Sequence, residues 1–254
     1  MKKIIFSLLI FINVTFAQGT SGTSAKYEYR YLIDLPTAGV INRGFYSLSF
    51  EALPYGVLIS RFDVGVLERF SLGISYGGSN IIGSGKIDFY KLPGINVKLR
   101  FLDESLLLPA FAIGFDSQGK GFFDKSINRY EIKSPGFYIA ASKNFELLGY
   151  LSLHALLNYS LERNDNDKDL NFGLGFEKTV GEFISFIAEY NIAFNDNTGL
   201  SFGKGNGYLN CGFRFDIGDG LTIGIDFRDI LKNKKINSNA ADRGLFVQYI
   251  KGIF

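Results

Sequence analysis

The sequence predicts an all-β fold, a transmembrane antiparallel up-and-down β-barrel of about 12 strands, and three observations predict it. Apolar and polar residues alternate with a period of two in segment after segment. Several segments reach roughly ten residues, which exceeds the usual length of a soluble strand and suffices to cross a bilayer at a tilt. Long polar loops and tight turns alternate between the segments, as they do at the two ends of an outer-membrane barrel.

The composition agrees with many strands joined by turns. The 254 residues include 26 Phe, 14 Tyr and 30 Gly but no Trp, and 46% of them are hydrophobic. The formal net charge of +2 gives the chain no polyelectrolyte character, so nucleic acid is not an expected partner. Beyond the N-terminus the sequence has no apolar run of about eighteen residues, which argues against a helical membrane span.

The first 17 residues have the pattern of a secretory signal peptide. Lys2 and Lys3 precede the apolar run Ile4 to Ile12, and small residues lead to Ala17. The apolar run is too short to span a bilayer, so we expect cleavage to leave Gln18 as the first mature residue. A buried N-terminal strand is the alternative interpretation.

Residues 18–43 are predicted to form a periplasmic N-terminal extension, and residues 44–254 to form the barrel. The extension begins with a leader rich in Gly, Ser and Thr. Its stretch Tyr27 to Leu35 alternates like a strand and ends at Pro36. Two interpretations of this stretch therefore remain: it lies in the periplasm, or it forms the first strand of the sheet.

The clearest strand pattern runs from Ile184 to Phe194. The residues expected on its lipid face are Ile184, Phe186, Ala188, Tyr190, Ile192 and Phe194. Ser185 and Glu189 fall on the opposite face, which we expect to line a polar lumen. A helix, with 3.6 residues per turn, would scatter the same residues around its cylinder, so the pattern indicates a strand.

The same alternation recurs from the beginning of the barrel to its end. In chain order, the apolar rows begin at or run through Tyr46, Phe62, Phe70, Ile95, Phe111, Phe137, Leu151, Leu170, Ile184, Leu209, Leu221 and Leu245. The turn at residues 53–56 is the one exception to the alternation of loop lengths. In the last strand, Phe246 and Ile250 share a face with Gln248, so neither face can be assigned to lipid. The final Phe254 resembles the C-terminal signal that barrel-assembly machinery recognises.

Eight charged or polar side chains are predicted to line the lumen. They are Lys98, Arg100, His154, Glu177, Glu189, Arg214, Asp226 and Arg228. Such rows of mixed sign could line a pathway for a polar solute, or they could pair across neighbouring strands and plug a narrow barrel. About twelve strands lie between the filled eight-stranded barrels and the water-filled porins, so size does not decide, and we favour a plugged or narrow lumen.

The sequence predicts no catalytic, cofactor or metal site. His154 is the sole histidine, and Ser152 and Asn158 share its face. Outer-membrane phospholipases use a His, Ser and Asn set, but Leu156 occupies the position where their nucleophilic serine is expected. A hydrogen-bonded lumen histidine is therefore favoured. Cys211 lies in an apolar row, and one His with one Cys offers no cluster of metal ligands.

Four motifs mark turns and strands in roughly the middle half of the mature chain. They are Leu72-Gly-Ile-Ser-Tyr-Gly-Gly with Ile82-Gly83, Pro93-Gly94-Ile-Asn-Val-Lys-Leu-Arg, Pro109-Ala-Phe-Ala-Ile-Gly-Phe-Asp116, and Ala140-Ala-Ser-Lys-Asn-Phe145. These motifs resemble an uncharacterised group of YjbH-like outer-membrane barrels. The resemblance implies a barrel fold, an outer-membrane location and at most a link to exopolysaccharide secretion or envelope maintenance. It carries over no functional residues.

The sequence thus predicts an outer-membrane barrel that is not an enzyme, either a narrow pore or an accessory barrel in envelope or exopolysaccharide export. The alternatives are a structural outer-membrane protein without a pathway, an outer-membrane hydrolase, and a soluble periplasmic β protein. The expected partners are outer-membrane lipid, the barrel-assembly machinery, and a polysaccharide or small polar solute. No cofactor is expected.

Overall fold

A computed structural model describes residues 19–236 and 239–253 of the chain. The predicted signal peptide, the expected first mature residue Gln18 and the terminal Phe254 lie outside the described residues. Within those ranges every regular element is a β-strand, so the predicted all-β class is confirmed. No helix long and apolar enough to cross a membrane is found in this part of the chain.

Twelve strands form one closed antiparallel barrel in the described part of the chain. The barrel strands are β1 (Phe45–Leu53), β2 (Val57–Leu67), β3 (Phe70–Ser79), β5 (Gly94–Leu102), β6 (Ala110–Asp116), β9 (Gly136–Glu146), β10 (Tyr150–Tyr159), β11 (Asn171–Thr179), β12 (Ile184–Asn191), β13 (Tyr208–Gly218), β14 (Leu221–Arg228) and β15 (Asp242–Gly252). The barrel closes because β1 pairs with β15 as well as with β2, which removes the sheet edges. The predicted architecture is confirmed.

Strand β12 shows the predicted alternation between the outer and inner walls. Tyr190 is 37% exposed on the outer wall, whereas Glu189 is 2% exposed inside the barrel. The strand ends at Asn191, earlier than the predicted end at Phe194. Ala193 adopts a left-handed φ of 57°, which an extended strand cannot accommodate.

Large apolar side chains cover the outer wall and stay exposed. Examples are Ile74, Ile95, Phe137 and Leu174, at 59%, 54%, 58% and 50% exposed. Aromatic neighbours contact each other across strands, as Phe186 and Phe213 do with ring centroids 5.3 Å apart. A closed barrel with an apolar exterior and a polar interior is the arrangement that a lipid environment stabilises.

Arginine at mid-height on the outer wall should destabilise the barrel strongly. We expect Leu174→Arg to lower the free energy of unfolding in lipid vesicles by about 2 to 4 kcal/mol, because it places a charge in the hydrocarbon. The matched control is Ile217→Arg near the end of β13, where the cost should be about 0 to 1 kcal/mol. Denaturant titration measures both, and equal costs would contradict the assignment of this wall to lipid.

The connections between strands alternate in length, as predicted. Short turns join the strands at the end where β1 begins and β15 ends; they span residues 68–69, 103–109, 147–149, 180–183 and 219–220. Longer loops at the other end span residues 80–93, 117–135, 160–170, 192–207 and 229–241, with the short turn 54–56 as the exception. In outer-membrane barrels the short turns face the periplasm and the long loops face the exterior.

The structure assigns the two faces of strand β15, which the sequence pattern left open. Leu245 is 56% exposed on the outer wall, whereas Gln248 is 8% exposed inside. The ring of Phe246 also lies inside, 4.7 Å from the guanidinium carbon of Arg214. The alternation is blurred because this inward aromatic ring packs against a cation rather than against lipid.

Three short strands lie outside the barrel wall. Strand β4 (Asp88–Phe89) pairs with the end of β3, and β7 (Lys120–Asp124) pairs with β8 (Arg129–Ile132). We call residues 120–132 the cap hairpin, because they pack at the extracellular end of the barrel. Tyr130 of the hairpin contacts the ring of Tyr90 at 4.8 Å, in a buried cluster with wall residues of β1 and β2.

Residues 19–43 form a hairpin-shaped segment inside the barrel, which we call the N-terminal plug. Thr20 Oγ1 lies 2.8 Å from Thr222 Oγ1, near the periplasmic end. The segment turns where the Leu32 amide donates to the Leu35 carbonyl at 3.0 Å, and it then returns to β1. The structure thus differs from the predicted periplasmic location of this segment.

The plug lies inside the barrel because its apolar residues have inward-facing partners there. Leu32, Ile33 and Leu35 are buried in one cluster with wall residues; the wall members are Tyr138, Ala140, Leu156 and Ile187. Burial of apolar surface stabilises this contact by roughly 25 cal/mol per Å². The stretch that looked like a strand does not join the sheet, and its isolated bridge connects Tyr31 to Pro36 within the plug.

Candidate functional site

All eight predicted lumen residues have their side chains inside the barrel. Lys98, His154, Glu177, Glu189, Arg214, Asp226 and Arg228 are each 7% exposed or less. Arg100, near the periplasmic end, is 17% exposed. These side chains are buried because the plug fills the lumen. An open lumen with so many charged groups would be hydrated. A role of these residues in solute passage stays a prediction.

The tip of the plug binds the carboxylate of Glu189 on β12. Three consecutive amides donate to it: Ile33 at 3.0 Å, Asp34 at 2.9 Å and Leu35 at 3.0 Å. Asn210 Nδ2 donates a fourth hydrogen bond at 2.9 Å. Successive amides that converge in this way form a concave anion-binding nest, so the tip offers Glu189 partial positive charge.

The side chain of Asp34 forms ion pairs on both sides of the plug tip. Arg228 Nε and Nη2 each lie 3.0 Å from its carboxylate, and Lys120 Nζ of the cap hairpin lies at 2.9 Å. Burial opposes ionisation of Asp34, but the two cations outweigh it and lower the pKa of this carboxyl. Arg228 also binds Glu51 on β1, so the wall keeps a partner for it without the plug.

Lower in the lumen, Arg30 of the plug pairs with Asp63 on β2. Its Nη2 also donates to Ser47 Oγ at 2.6 Å. Asn96 Nδ2 is the other side-chain donor to Asp63. The guanidinium of Arg30 is therefore the cation that compensates the buried Asp63 carboxylate.

The ammonium of Lys98 on β5 is bound by plug backbone rather than by a carboxylate. Its Nζ donates to the carbonyl oxygens of Arg30, Thr37 and Gly39, at 2.9, 3.0 and 3.1 Å. The same Nζ lies 5.1 Å from the ring centroid of Tyr31. Lys98 thus holds the two limbs of the plug together.

Some ion pairs in the lumen join one wall residue to another. Arg214 Nη1 lies 2.5 Å from Asp226 Oδ1 on the adjacent strand β14. Arg61 Nη1 on β2 lies 2.7 Å from Asp116 Oδ2 on β6, and both groups also contact the hydroxyl of Tyr31 in the plug. Pairing across neighbouring strands was one of the two predicted uses of the mixed-sign rows, and Arg214 with Asp226 shows it.

A cavity of about 480 Å³ lies between the plug and the wall near the periplasmic end, and we call it the vestibule. His154 faces it, and its Nδ1 is 2.8 Å from Ser142 Oγ. The same oxygen accepts a hydrogen bond from the Ala38 amide at 2.9 Å. Nε2 of His154 has no hydrogen-bond partner among the described residues. A hydrolytic triad uses both ring nitrogens, one toward the nucleophile and one toward a third group, and among the described residues only Nδ1 of His154 has a partner.

The extracellular end is closed by loops that converge on Arg129 of the cap hairpin. Arg129 is 0% exposed, and its Nη1 lies 2.5 Å from Asp165 and 2.8 Å from Asp196, in two other loops. Lys133 Nζ contacts Asp165 at 2.8 Å. Burial opposes ionisation of Asp165, but Lys133 and Arg129 outweigh it and lower the pKa of its carboxyl. Between the plug tip and these loops only a cavity of about 60 Å³ remains, room for a few water molecules.

A second ionic cluster ties the cap hairpin to the last loop. Lys234 Nζ lies 2.6 Å from Glu131 and also contacts Asp242. Burial raises the pKa of Glu131, and Lys234 offsets only part of that rise. Burial lowers the pKa of Lys234, but Glu131 and Asp242 outweigh it, so the net pKa is raised. The described residues hold no cluster of three His, Cys, Asp or Glu side chains that would suit a metal ion.

Sequence patterns missed the groups that hold the plug and the cap. Arg30 and Asp34 lie in a segment assigned to the periplasm, and Lys120 and Arg129 lie in a loop. No local pattern identifies the distant carboxylates that these side chains bind.

Solved structures of similar fold include porins. A KdgM porin structure superposes with a TM-score of 0.52 at 12% identity, covering 81% of this chain and 98% of that chain. The KdgM porin in complex with disordered oligogalacturonate gives 0.51 at 10% identity, with the same coverage of 81% and 98%. The chain has the fold of an outer-membrane porin barrel. The Acinetobacter baumannii outer membrane protein Omp33 gives 0.46 at 11% identity, covering 82% and 98%. No protein-family model and no curated protein matches the sequence.

Proposed function

We propose that this protein is an outer-membrane channel for small polar solutes and that the N-terminal plug closes its lumen. The observation that carries the proposal is the course of the plug. It enters and leaves at the periplasmic end, and none of its described residues pairs with a barrel strand. The plug can therefore leave without breaking a hydrogen bond of the barrel wall.

The chemistry of the lumen supports a polar solute. Its wall presents carboxylates, guanidinium groups, amides and hydroxyls, and each of these groups can be hydrated when the plug is absent. The KdgM porin is described in complex with oligogalacturonate, a polar oligosaccharide. That ligand supports a polar solute for this barrel, but oligogalacturonate is an anion, so the support is limited to polarity and does not extend to the sign of the charge.

A structural or accessory barrel is the second candidate, and the buried ion pairs of the plug favour it. The YjbH-like resemblance supports a role in envelope maintenance or exopolysaccharide export for such a barrel. In either case we propose outer-membrane lipid and the barrel-assembly machinery as partners.

Single-channel recording in planar bilayers distinguishes the two candidates. We expect the full mature chain to be closed for most of the recording and a variant lacking residues 19–41 to conduct steadily. The control for folding is the shift in gel migration between unheated and heated samples, which a closed barrel shows. A deletion variant that is folded by this criterion but silent would overturn the channel in favour of a structural barrel. Hydrolysis of phospholipid that depends on His154 would overturn both.

A further inference from the structure

The charged groups on the inner face of the wall are not balanced between the two signs once the plug is left out. Among the described residues, four wall carboxylates have no cation of the wall as ion-pair partner: Asp63, Glu177, Glu189 and Asp216. Among the inward cations of the described residues, Lys98 has no wall carboxylate as ion-pair partner. Carbonyl oxygens of the plug bind it instead. Removal of the plug therefore leaves an excess of negative charge on the wall.

From this imbalance we propose that the open lumen selects cations, and that Asp63 and Glu189 form its main cation-binding positions. The inference rests on the proposed channel function and specifies the class of solute, small organic cations that carry ammonium or guanidinium groups. Unpaired carboxylates in a narrow lumen with low-dielectric walls raise the local concentration of cations and exclude anions.

The plug itself shows which chemistry these two positions accept. At Asp63 the occupant is the guanidinium of Arg30, and at Glu189 it is a nest of three amides. Both groups are positively polarised hydrogen-bond donors, and neither is an anion. At Asp63 and Glu189 the plug thus occupies the place of a cationic solute, and this is independent of the count of charges along the wall.

The remaining wall charges do not reverse the preference. Arg214 keeps Asp226, and Arg61 keeps Asp116, when the plug is absent. Arg100 keeps Asp103 of the neighbouring turn. Lys98 alone becomes unpaired, so neutralising it should strengthen the cation preference rather than create one.

The test measures the reversal potential of the variant lacking residues 19–41 across a KCl gradient. We expect K⁺ to be preferred over Cl⁻ by a factor on the order of 10. Asp63→Asn with Glu189→Gln should bring the ratio close to one, and Lys98→Gln with Arg100→Gln should raise it. Glu68→Gln, in an exposed periplasmic turn, is the matched control and should leave the ratio unchanged.

Agmatine, with a guanidinium at one end and an ammonium at the other, serves as the organic probe. We expect it to reduce the K⁺ current in a dose-dependent manner, and this block should be lost in the variant with Asp63→Asn and Glu189→Gln. If the deletion variant does not fold, the full-length chain with Arg30→Gln and Asp34→Asn replaces it.

The outcomes separate the two proposals. A folded barrel without conductance overturns the channel and the selectivity with it. A conducting barrel that prefers Cl⁻, or whose ratio and agmatine block do not respond to the Asp63 and Glu189 substitutions, overturns only the cation selectivity and leaves the channel standing.

Discussion

Asp34→Ala should release the plug from the lumen in a measurable fraction of molecules. The substitution removes the plug carboxylate that Arg228 and Lys120 share, and both cations keep only Glu51 of the wall. Loss of hydrogen bonds to a charged group costs about 1.5 to 3 kcal/mol, which is about a 10- to 150-fold shift in an equilibrium. That cost falls on the closed state, because withdrawal of the plug lets water reach both cations.

Trypsin cleavage in the folded barrel measures the release. Arg30 is 6% exposed in the closed lumen, whereas Lys26 of the same segment is exposed. We expect cleavage after Lys26 in both proteins and much faster cleavage after Arg30 in the variant. Glu68→Ala, an exposed carboxylate removed far from the plug, is the matched control. Equal rates of cleavage after Arg30 in the variant and the unmodified protein would mean that Asp34 does not hold the plug.

The sequence predicted the barrel wall well because the alternation within each strand shows which residues belong to each of its two faces. Glu189 and Tyr190 are adjacent in the chain and lie on opposite sides of the wall, and period-two alternation records that directly. The pattern weakened only where an inward residue is apolar. Phe246 shows this, because its inward ring packs against Arg214 and not against lipid.

The plug could not be predicted because its partners lie far away in the chain. Tyr27 to Leu35 alternates like a strand, yet its tip amides donate to the side chain of Glu189 instead of to a neighbouring strand. The pairing of Arg30 with Asp63 likewise joins a leader segment to a barrel strand. Nothing local in either segment specifies the other, so composition indicated an extension without indicating where it lies.

Arg129→Ala should loosen the extracellular cap while the barrel wall stays folded. Arg129 joins three loops, since Asp165 and Asp196 belong to loops other than its own. Its Nε and Nη2 also donate to the carbonyls of Tyr130 and Glu131, at 2.9 and 3.0 Å. Removing the guanidinium leaves the buried Asp196 carboxylate without a cation and leaves Asp165 with Lys133 alone, so we expect the cap to lose about 3 to 5 kcal/mol of stability against local opening.

Hydrogen exchange of amides in residues 120–132 is the measurement for this variant. We expect exchange there to be faster by about 10²-fold or more, with the amides of the barrel strands unchanged. Arg163→Ala is the matched control, because Arg163 is an exposed arginine of the neighbouring loop that contacts the Tyr159 ring. Arg129→Lys should restore little of the protection from exchange, because an ammonium lacks the planar guanidinium group that reaches both carboxylates and both carbonyls. Unchanged exchange in Arg129→Ala would show that the loops close the barrel without this ionic centre.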